Sequence, residues 1–186
     1  RPVPGAMDDL AGVGILMGLG NVLAQDNPLA TTEVVILATG AEEAGLRGAD
    51  QWARAHREEI AKVPTNALVI DGVYDEKHLR VVRRELFTLV RHDPGLVELA
   101  TRVAQDRGRK MQVSVVPIGA SDATVFSRAG IKSTLLMCQD ISRLVPNYHT
   151  RNDVLEHVQP RSLTVVLQVV KDMLVALDRG EGAGPL

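Results

Sequence analysis

Short apolar segments alternate with longer amphipathic segments along the whole chain, and this alternation is the strongest constraint on the fold. The short segments are rich in β-branched and aliphatic residues, which is typical of strands. The longer segments repeat their apolar residues with the period of a helix. Strands that alternate with helices predict an α/β fold of three layers, with helices on both faces of one sheet. The predicted strands are Glu33–Thr39, Asn66–Asp71, His78–Arg83, Gln112–Val116 and Lys132–Cys138, and the predicted helices are Asp9–Ala24, Leu46–Val63, Gly95–Arg107, Asp122–Ala129 and Arg161–Leu177.

Most of the predicted strands are joined through a helix, so they are expected to run parallel. The strand His78–Arg83 follows Asn66–Asp71 too closely for a helical crossover and is predicted to pair antiparallel, which makes the sheet mixed but mostly parallel. We find no linker that would divide the 186 residues, which predict a single domain. Residues from about 179 to 186, which include GEGAGPL, are predicted to form a disordered tail.

Composition excludes several classes of protein. A net charge of -2 leaves no broad basic surface for nucleic acid. The longest apolar run, Leu10–Ala24, is interrupted by glycines and is shorter than the roughly 18 to 20 residues of a membrane span, so no membrane anchor is predicted. A single cysteine, Cys138, allows no internal disulfide, and cysteine usage therefore leaves the cellular compartment open.

Several ionisable residues follow predicted strands or precede the first helix. Asp8 comes just before that helix, Glu42 and Glu43 follow the first strand, Asp71 closes the second, and His149 lies after the last. Because the carboxyl ends of parallel strands share one edge of a sheet, these side chains are expected to converge. Carboxylate oxygens and an imidazole nitrogen suit Zn²⁺ or a similar divalent ion, and a shared carboxylate could hold two ions about 3.5 to 4 Å apart. The pattern predicts a metal site.

Each of these residues, taken alone, also has a structural explanation. Asp8 or Asp9 could cap the first helix, and a lone pair of glutamates is usually a solvated loop. A single histidine is more often structural or exposed than a metal ligand. Asp71 is harder to explain in this way, because a charge that closes an apolar strand needs a partner. The prediction of function therefore depends on the joint pattern.

Five motifs carry a resemblance to a known family. GAMDDLAG, ATGAEEAGLRG, VID, SDATVF and NYHTRND occur in the order and rough spacing of the motifs of the co-catalytic zinc aminopeptidases, family 28 of the metallopeptidases. That family includes bacterial leucyl aminopeptidase and the glutamate carboxypeptidase II group. The resemblance runs from about Pro4 to the helix after Pro160. It implies a zinc exopeptidase fold and the removal of N-terminal residues from peptide substrates.

The resemblance also implies roles for individual residues. Asp8 would bridge two zinc ions, Glu43 and His149 would bind one of these ions, and Asp71 would bind the other. Glu42 looks like the general base that takes a proton from the attacking water.

Three further residues are assigned less directly. Tyr148 is similar to a tyrosine that hydrogen-bonds the tetrahedral intermediate in some family members. Asp153 is predicted to orient His149 from behind, because metal-bound histidines usually donate their other N–H group to a partner. Asp122, in SDATVF, either supports the site or caps its helix.

The chain departs from the family pattern at its start. Family members usually take a further histidine ligand from an HxDS motif upstream of the bridging aspartate, and this chain begins too close to Asp8 to contain that motif. Asp8, Glu43 and His149 would still form a three-ligand zinc set, whereas the second ion keeps only Asp8 and Asp71. We therefore expect a longer natural protein whose N-terminal segment supplies the histidine, with one or two zinc ions in the chain itself.

Two alternatives remain open. Glutaminyl cyclases are similar in fold and use a one-zinc set of Asp, Glu and His, but this chain has no tryptophan just after AEE and no histidine after Asp122. A pseudoenzyme of the same fold would bind a partner without catalysis, although four retained ligand residues favour an enzyme. The oligomeric state and the substrate side-chain preference are not predicted.

Overall fold

A computed structural model describes residues 2–142 and 147–182 of the chain. Within these residues, the predicted helices and four of the five predicted strands are present, and short helical turns occupy Ala6–Leu10, Glu76–His78 and Leu155–His157. The predicted helix Leu46–Val63 is divided into two shorter helices at His56. The elements are α1 Ala11–Gln25, α2 Arg47–Ala55, α3 Arg57–Ile60, β1 Asn66–Val73, β2 Leu79–Glu85, β3 Val90–Arg91, α4 Pro94–Asp106, β4 Gln112–Val116, α5 Asp122–Arg128, β5 Lys132–Cys138 and α6 Pro160–Asp178.

The sheet is mixed, which confirms the predicted fold class. β5 lies between β1 and β2; it runs parallel to β1 and antiparallel to β2. β4 runs parallel to β2, and the short β3 pairs with the end of β2. The antiparallel partner of β2 is therefore β5, since β5 is inserted between β2 and the strand that precedes it in the sequence. As a result, β1 and β5 end at one edge of the sheet, and β2 and β4 end at the opposite edge.

Helices cover both faces of the sheet. On one face, α1, α4 and α6 enclose the larger core, in which Leu136 of β5 packs with Leu99 and Met173. On the other face, α2 and α5 enclose a smaller core around Phe126, against which Trp52 packs edge-on. The predicted three-layer arrangement is therefore present.

The helical stretch Ala6–Gln25 is long and apolar enough to cross a membrane when only length and composition are considered, with a mean hydropathy of 1.3. In the fold, however, Ala11, Ile15 and Leu19 of this stretch are buried. The helix packs against α6 and β1. One face of this helix is therefore buried in the domain, and 33% of its apolar window is buried.

The predicted strand Glu33–Thr39 is wrong. Within the described part of the chain, this segment belongs to no strand pair and makes no backbone hydrogen bonds to another segment. Val35 and Ile36 are 62% and 43% exposed. A strand is stabilised by pairing with a neighbour, so a β-branched composition alone does not produce one.

Two acidic residues at and after the end of α6 make contacts with other parts of the chain. The Asp178 carboxylate at the end of α6 accepts hydrogen bonds from the backbone amides of Ala30, Thr31 and Thr32 at 2.8 to 2.9 Å. After α6, the Glu181 carboxylate pairs with the Arg102 guanidinium at 2.5 Å. Residues 183–186 of the predicted tail lie outside the described residues.

Candidate metal centre

Glu42 and Glu43 are presented by a closed loop between Gly40 and Gly48. The Gly45 and Leu46 amides donate to the Glu42 carbonyl oxygen at 2.9 and 2.7 Å, and the Gly48 amide donates to the Gly40 carbonyl oxygen at 3.0 Å. A β-carbon at Gly48 would lie 2.3 Å from the same Gly40 oxygen, so only glycine allows this closure. The loop thereby fixes the backbone that carries the two adjacent glutamates.

Asp153 holds the turn that carries Asp8. Its carboxylate accepts hydrogen bonds from the Met7 amide at 2.7 Å and from the Asp8 amide at 3.3 Å, and it is 1% exposed. The hydrogen bonds that the structure shows for the Asp153 carboxylate go to the Asp8 turn, and the predicted orientation of His149 by Asp153 stays a prediction. The effect on the site is indirect, since Asp153 positions the backbone from which Asp8 projects.

The two adjacent aspartates take different roles. The Asp9 carboxylate accepts a hydrogen bond from the Gly12 amide at 3.0 Å and so caps the start of α1. The peptide bond between Asp8 and Asp9 is cis. The Asp8 side chain points instead toward His149. The capping explanation therefore applies to Asp9, and Asp8 remains a candidate ligand.

Asp8, Glu43 and His149 form a cluster that we call the metal triad. His149 Nε2 lies 3.0 Å from Asp8 Oδ2 and 2.7 Å from Glu43 Oε1. The three candidate ligand atoms lie within 4.8 Å of one another. Asp8 Oδ2 is buried and, among the described residues, makes no hydrogen bond of acceptable geometry. Two carboxylate oxygens and one imidazole nitrogen around a common point, with an orphaned oxygen, fit a zinc ion that keeps one position open.

The acids around the metal triad strongly perturb one another. Burial, followed by the charge of Glu43, raises the pKa of Asp8 to about 6. Burial and the charge of Asp8 raise the pKa of Asp71 to about 7. Burial and the charge of Asp71 raise the pKa of Glu42 to about 8. So many carboxylates in one partly buried place resist ionisation unless a cation balances them, which again fits a divalent ion.

Tyr148 and His149 form one wall of the site. Their rings stack with centroids 3.8 Å apart, and His149 has a left-handed backbone with φ of 56°. Burial and the charge of Asp8 raise the pKa of Tyr148, so its hydroxyl keeps its proton and can donate a hydrogen bond. The stacked ring also restricts the orientation of the imidazole.

The structure brings the predicted residues together to different degrees. Asp8, Glu43 and His149 are in direct contact, and Tyr148 contacts His149. Asp71 is outside the metal triad but close enough for its charge to act on its acidic neighbours. Its role as a ligand of a second ion stays a prediction.

Asp122 and Thr39 were not assigned to the site by the sequence. The Thr39 hydroxyl donates to Asp122 Oδ2 at 2.5 Å, and the charge of Asp122 acts on both Glu42 and Asp71. The position of Asp122 at the start of a helix left the choice between a cap and a supporting residue open. The contact with Thr39 links α5 to the segment that leads into the glutamate loop.

A mixed α/β sheet with helices on both faces, and with carboxylates and an imidazole gathered around one point, places the protein in the class of α/β domains with a candidate metal site. The chain belongs to Peptidase family M28, whose model matches residues 1–174. The predicted family is therefore confirmed. A search of curated protein sequences found no match.

Solved structures of aminopeptidases have the same fold. BSAP, a zinc aminopeptidase from Bacillus subtilis, is 25% identical, with a TM-score of 0.77, and the match covers 95% of this chain and 43% of that protein. The aminopeptidase from Aneurinibacillus sp. strain AM-1 is 24% identical, with a TM-score of 0.76, over 94% of this chain and 40% of its own. The LapA aminopeptidase of Legionella pneumophila is 17% identical, with a TM-score of 0.78, over 94% and 48%. The chain thus spans less than half the length of these relatives.

Proposed function

We propose that the protein is a zinc-dependent exopeptidase, and that it acts as an aminopeptidase that removes N-terminal residues from peptides. The observation that carries this proposal is the metal triad, which offers three ligand atoms within 4.8 Å of one another in a chain of Peptidase family M28. The similarity to BSAP, described as a zinc aminopeptidase, supports zinc as the ion.

The residues of the site have two proposed roles, metal binding and proton transfer. Asp8, Glu43 and His149 would hold the first ion, and Asp8 with Asp71 would hold a second. When bound, zinc lowers the pKa of a coordinated water toward about 7 and polarises a carbonyl group. Glu42 is the general base: its carboxylate takes the proton of the attacking water and returns it to the leaving amine.

The surroundings of Glu42 match this role. Burial, followed by the charges of the neighbouring acids, raises its pKa to about 8, and a bound cation would offset part of the effect of the acids. A general base works best when its pKa lies near the working pH. Tyr148 would donate its hydroxyl proton in a hydrogen bond to the oxygen that becomes negative in the transition state.

Metal analysis and a peptidase assay test the proposal together. The protein is analysed for zinc by mass spectrometry and assayed on aminoacyl p-nitroanilides. N-acetylated versions of the same substrates serve as controls and should not react with an aminopeptidase. His149→Ala should lose both zinc and hydrolysis. Glu42→Gln should keep zinc but lower turnover by about 10² to 10⁴, as expected on loss of a general base.

Glu58→Gln, an exposed glutamate on α3, is the matched control and should behave like the wild type. Unchanged turnover in Glu42→Gln would remove Glu42 from the role of base. Zinc binding with cyclisation of an N-terminal glutamine peptide, but without hydrolysis, would favour a glutaminyl cyclase. A wild-type protein that holds no zinc and hydrolyses none of these substrates would refute the proposal and leave a binding role.

A further inference from the structure

Glu85, at the end of β2, is a fully buried carboxylate that the proposed reaction does not use, with 0% of its surface exposed. It accepts hydrogen bonds from the Ser121 amide and hydroxyl at 3.0 and 2.6 Å, and from the Thr124 hydroxyl at 2.7 Å. His92 Nε2 lies 3.1 Å from the same carboxylate. Burial opposes ionisation, but these hydrogen bonds outweigh it and keep the pKa of Glu85 below its usual value.

The contacts of Glu85 and His92 fix α5 at both ends. Ser121 and Thr124 lie at the beginning of α5, so Glu85 anchors its first turn. At the other end, His92 Nδ1 lies 3.1 Å from the Ser127 hydroxyl, which contacts the Ser133 hydroxyl on β5 at 2.7 Å. A buried polar network that is fully hydrogen-bonded holds its members in a unique arrangement. The position of α5 on the sheet is therefore set by buried polar contacts as well as by apolar packing.

Asp122, the first residue of α5, links this helix to the Gly40–Gly48 loop that carries Glu42 and Glu43. Asp122 is 7% exposed, and its Oδ2 atom accepts the Thr39 hydroxyl hydrogen bond at 2.5 Å. Thr39 directly precedes Gly40, where the loop that carries Glu42 begins. The segment 33–39 makes no ladder hydrogen bonds within the described residues. The hydrogen bond between Thr39 and Asp122 thus tethers the start of the loop to α5, at a point where no strand pairing in the described part of the chain holds the segment.

We propose that Asp122, held in place by Glu85, is a positioning residue that fixes the direction in which the loop presents Glu42. The proposal rests on the proposed function only in taking Glu42 as the general base. Its physical basis is geometric, because a displacement of about 1 Å in a reacting group can cost on the order of 10²-fold in rate.

Amide hydrogen exchange tests the tether without any substrate. Thr39→Val removes the hydroxyl and keeps the shape of the side chain, whereas Thr39→Ser restores the hydroxyl. A lost hydrogen bond worth about 1.4 kcal/mol corresponds to about a tenfold change in an opening equilibrium. We expect the Leu46 and Gly48 amides, which close the loop, to exchange about tenfold faster in Thr39→Val and within about twofold of the wild type in Thr39→Ser. Thr65→Val is the matched control and should not change them, because the exposed Thr65 hydroxyl donates to the nearby Val63 carbonyl oxygen.

Kinetics then test the effect on the reaction. Thr39→Val and Glu85→Gln should each lower kcat by about tenfold, with KM and zinc content unchanged, and Thr39→Ser should recover kcat. Because both substitutions act through Asp122, the double variant should lose less than the product of the two single losses.

The two proposals fail in different ways. Unchanged loop exchange in Thr39→Val would overturn the positioning role, as would an active Thr39→Val enzyme with normal kcat. If the wild-type protein neither holds zinc nor hydrolyses peptides, the proposed function fails, and faster loop exchange in Thr39→Val would still establish the tether. Should Glu85→Gln not fold, the comparison of Thr39→Val with Thr39→Ser decides the matter, because neither change removes a buried charge.

Discussion

Replacing Glu42 with glutamine should stabilise the metal-free protein at neutral and alkaline pH. Burial and neighbouring carboxylates raise the pKa of Glu42 to about 8 from an ordinary 4.5. A carboxyl whose pKa is higher in the folded than in the unfolded chain binds its proton more tightly when folded. Its contribution to stability is therefore complete below the unfolded value and is lost as the pH rises toward 8. Glutamine has no proton to lose, so the variant does not share this loss.

The size of the effect follows from the two pKa values. A tenfold change in an ionisation equilibrium corresponds to about 1.4 kcal/mol, so the wild-type loss is at most about 3 kcal/mol at pH 7 and about 5 kcal/mol well above pH 8. Glu42 is only partly buried, and solvent screening reduces these figures, so we expect about half of them. For a domain of this size, about 1.5 kcal/mol at pH 7 corresponds to about 3 to 6 °C in Tm.

Thermal unfolding followed by circular dichroism, in the presence of a chelator, measures this difference between pH 4 and pH 9. The melting curves of the wild type and Glu42→Gln should nearly coincide at pH 4 and separate as the pH rises, with the variant melting higher. When zinc replaces the chelator, the difference in melting temperature between the wild type and Glu42→Gln should become smaller, because the cation balances the crowded acids. Glu58→Gln should follow the wild type throughout. A Glu42→Gln protein that melts at the wild-type temperature at every pH would show that Glu42 does not lie among buried acids.

Three further outcomes follow from the site. Gly48→Ala should destabilise the fold by about 2 kcal/mol or more in urea unfolding, because its β-carbon would lie 2.3 Å from the Gly40 oxygen. Gly40→Ala is the control, since a β-carbon there meets open space, and equal effects would contradict the close approach. Asp153→Ala should cost about 1 to 3 kcal/mol and weaken zinc binding in calorimetry, because it frees the Asp8 turn; zinc affinity at the wild-type level would argue against this role. Zinc at one hundred times its dissociation constant should stabilise the wild type by about 2.7 kcal/mol and leave the melting of His149→Ala unchanged.

Much of the secondary structure could be predicted because it depends on local patterns. The helix periods and four of the five predicted strands were correct, since burial on one or both faces leaves a repeating signature in neighbouring residues. The segment Glu33–Thr39 carries the same signature but forms no strand among the described residues. Pairing requires a partner at the right distance, and no local pattern reports whether that partner is present.

The candidate site was predictable in its residue types and less so in its contacts. Asp8, Glu43 and His149 could be selected because their segments were expected to meet at one edge of the sheet and because their motifs resemble those of a zinc aminopeptidase family. The hydrogen bonds of Asp153 to the Met7 and Asp8 amides could not be predicted, because the group that its carboxylate meets depends on a difference of a few ångströms between two loops. Asp122 was left undecided for the same reason.

The sequence by itself thus determines which chemical groups lie at the ends of the strands. It also determines most of the local backbone conformation, as helix or strand. The packing of the layers decides which of those groups are in contact. In the folded chain β5 lies between β1 and β2, and α5 packs so that Asp122 contacts Thr39. Local conformation depends on forces between near neighbours in the chain, whereas contacts between distant segments depend on how every layer packs at once.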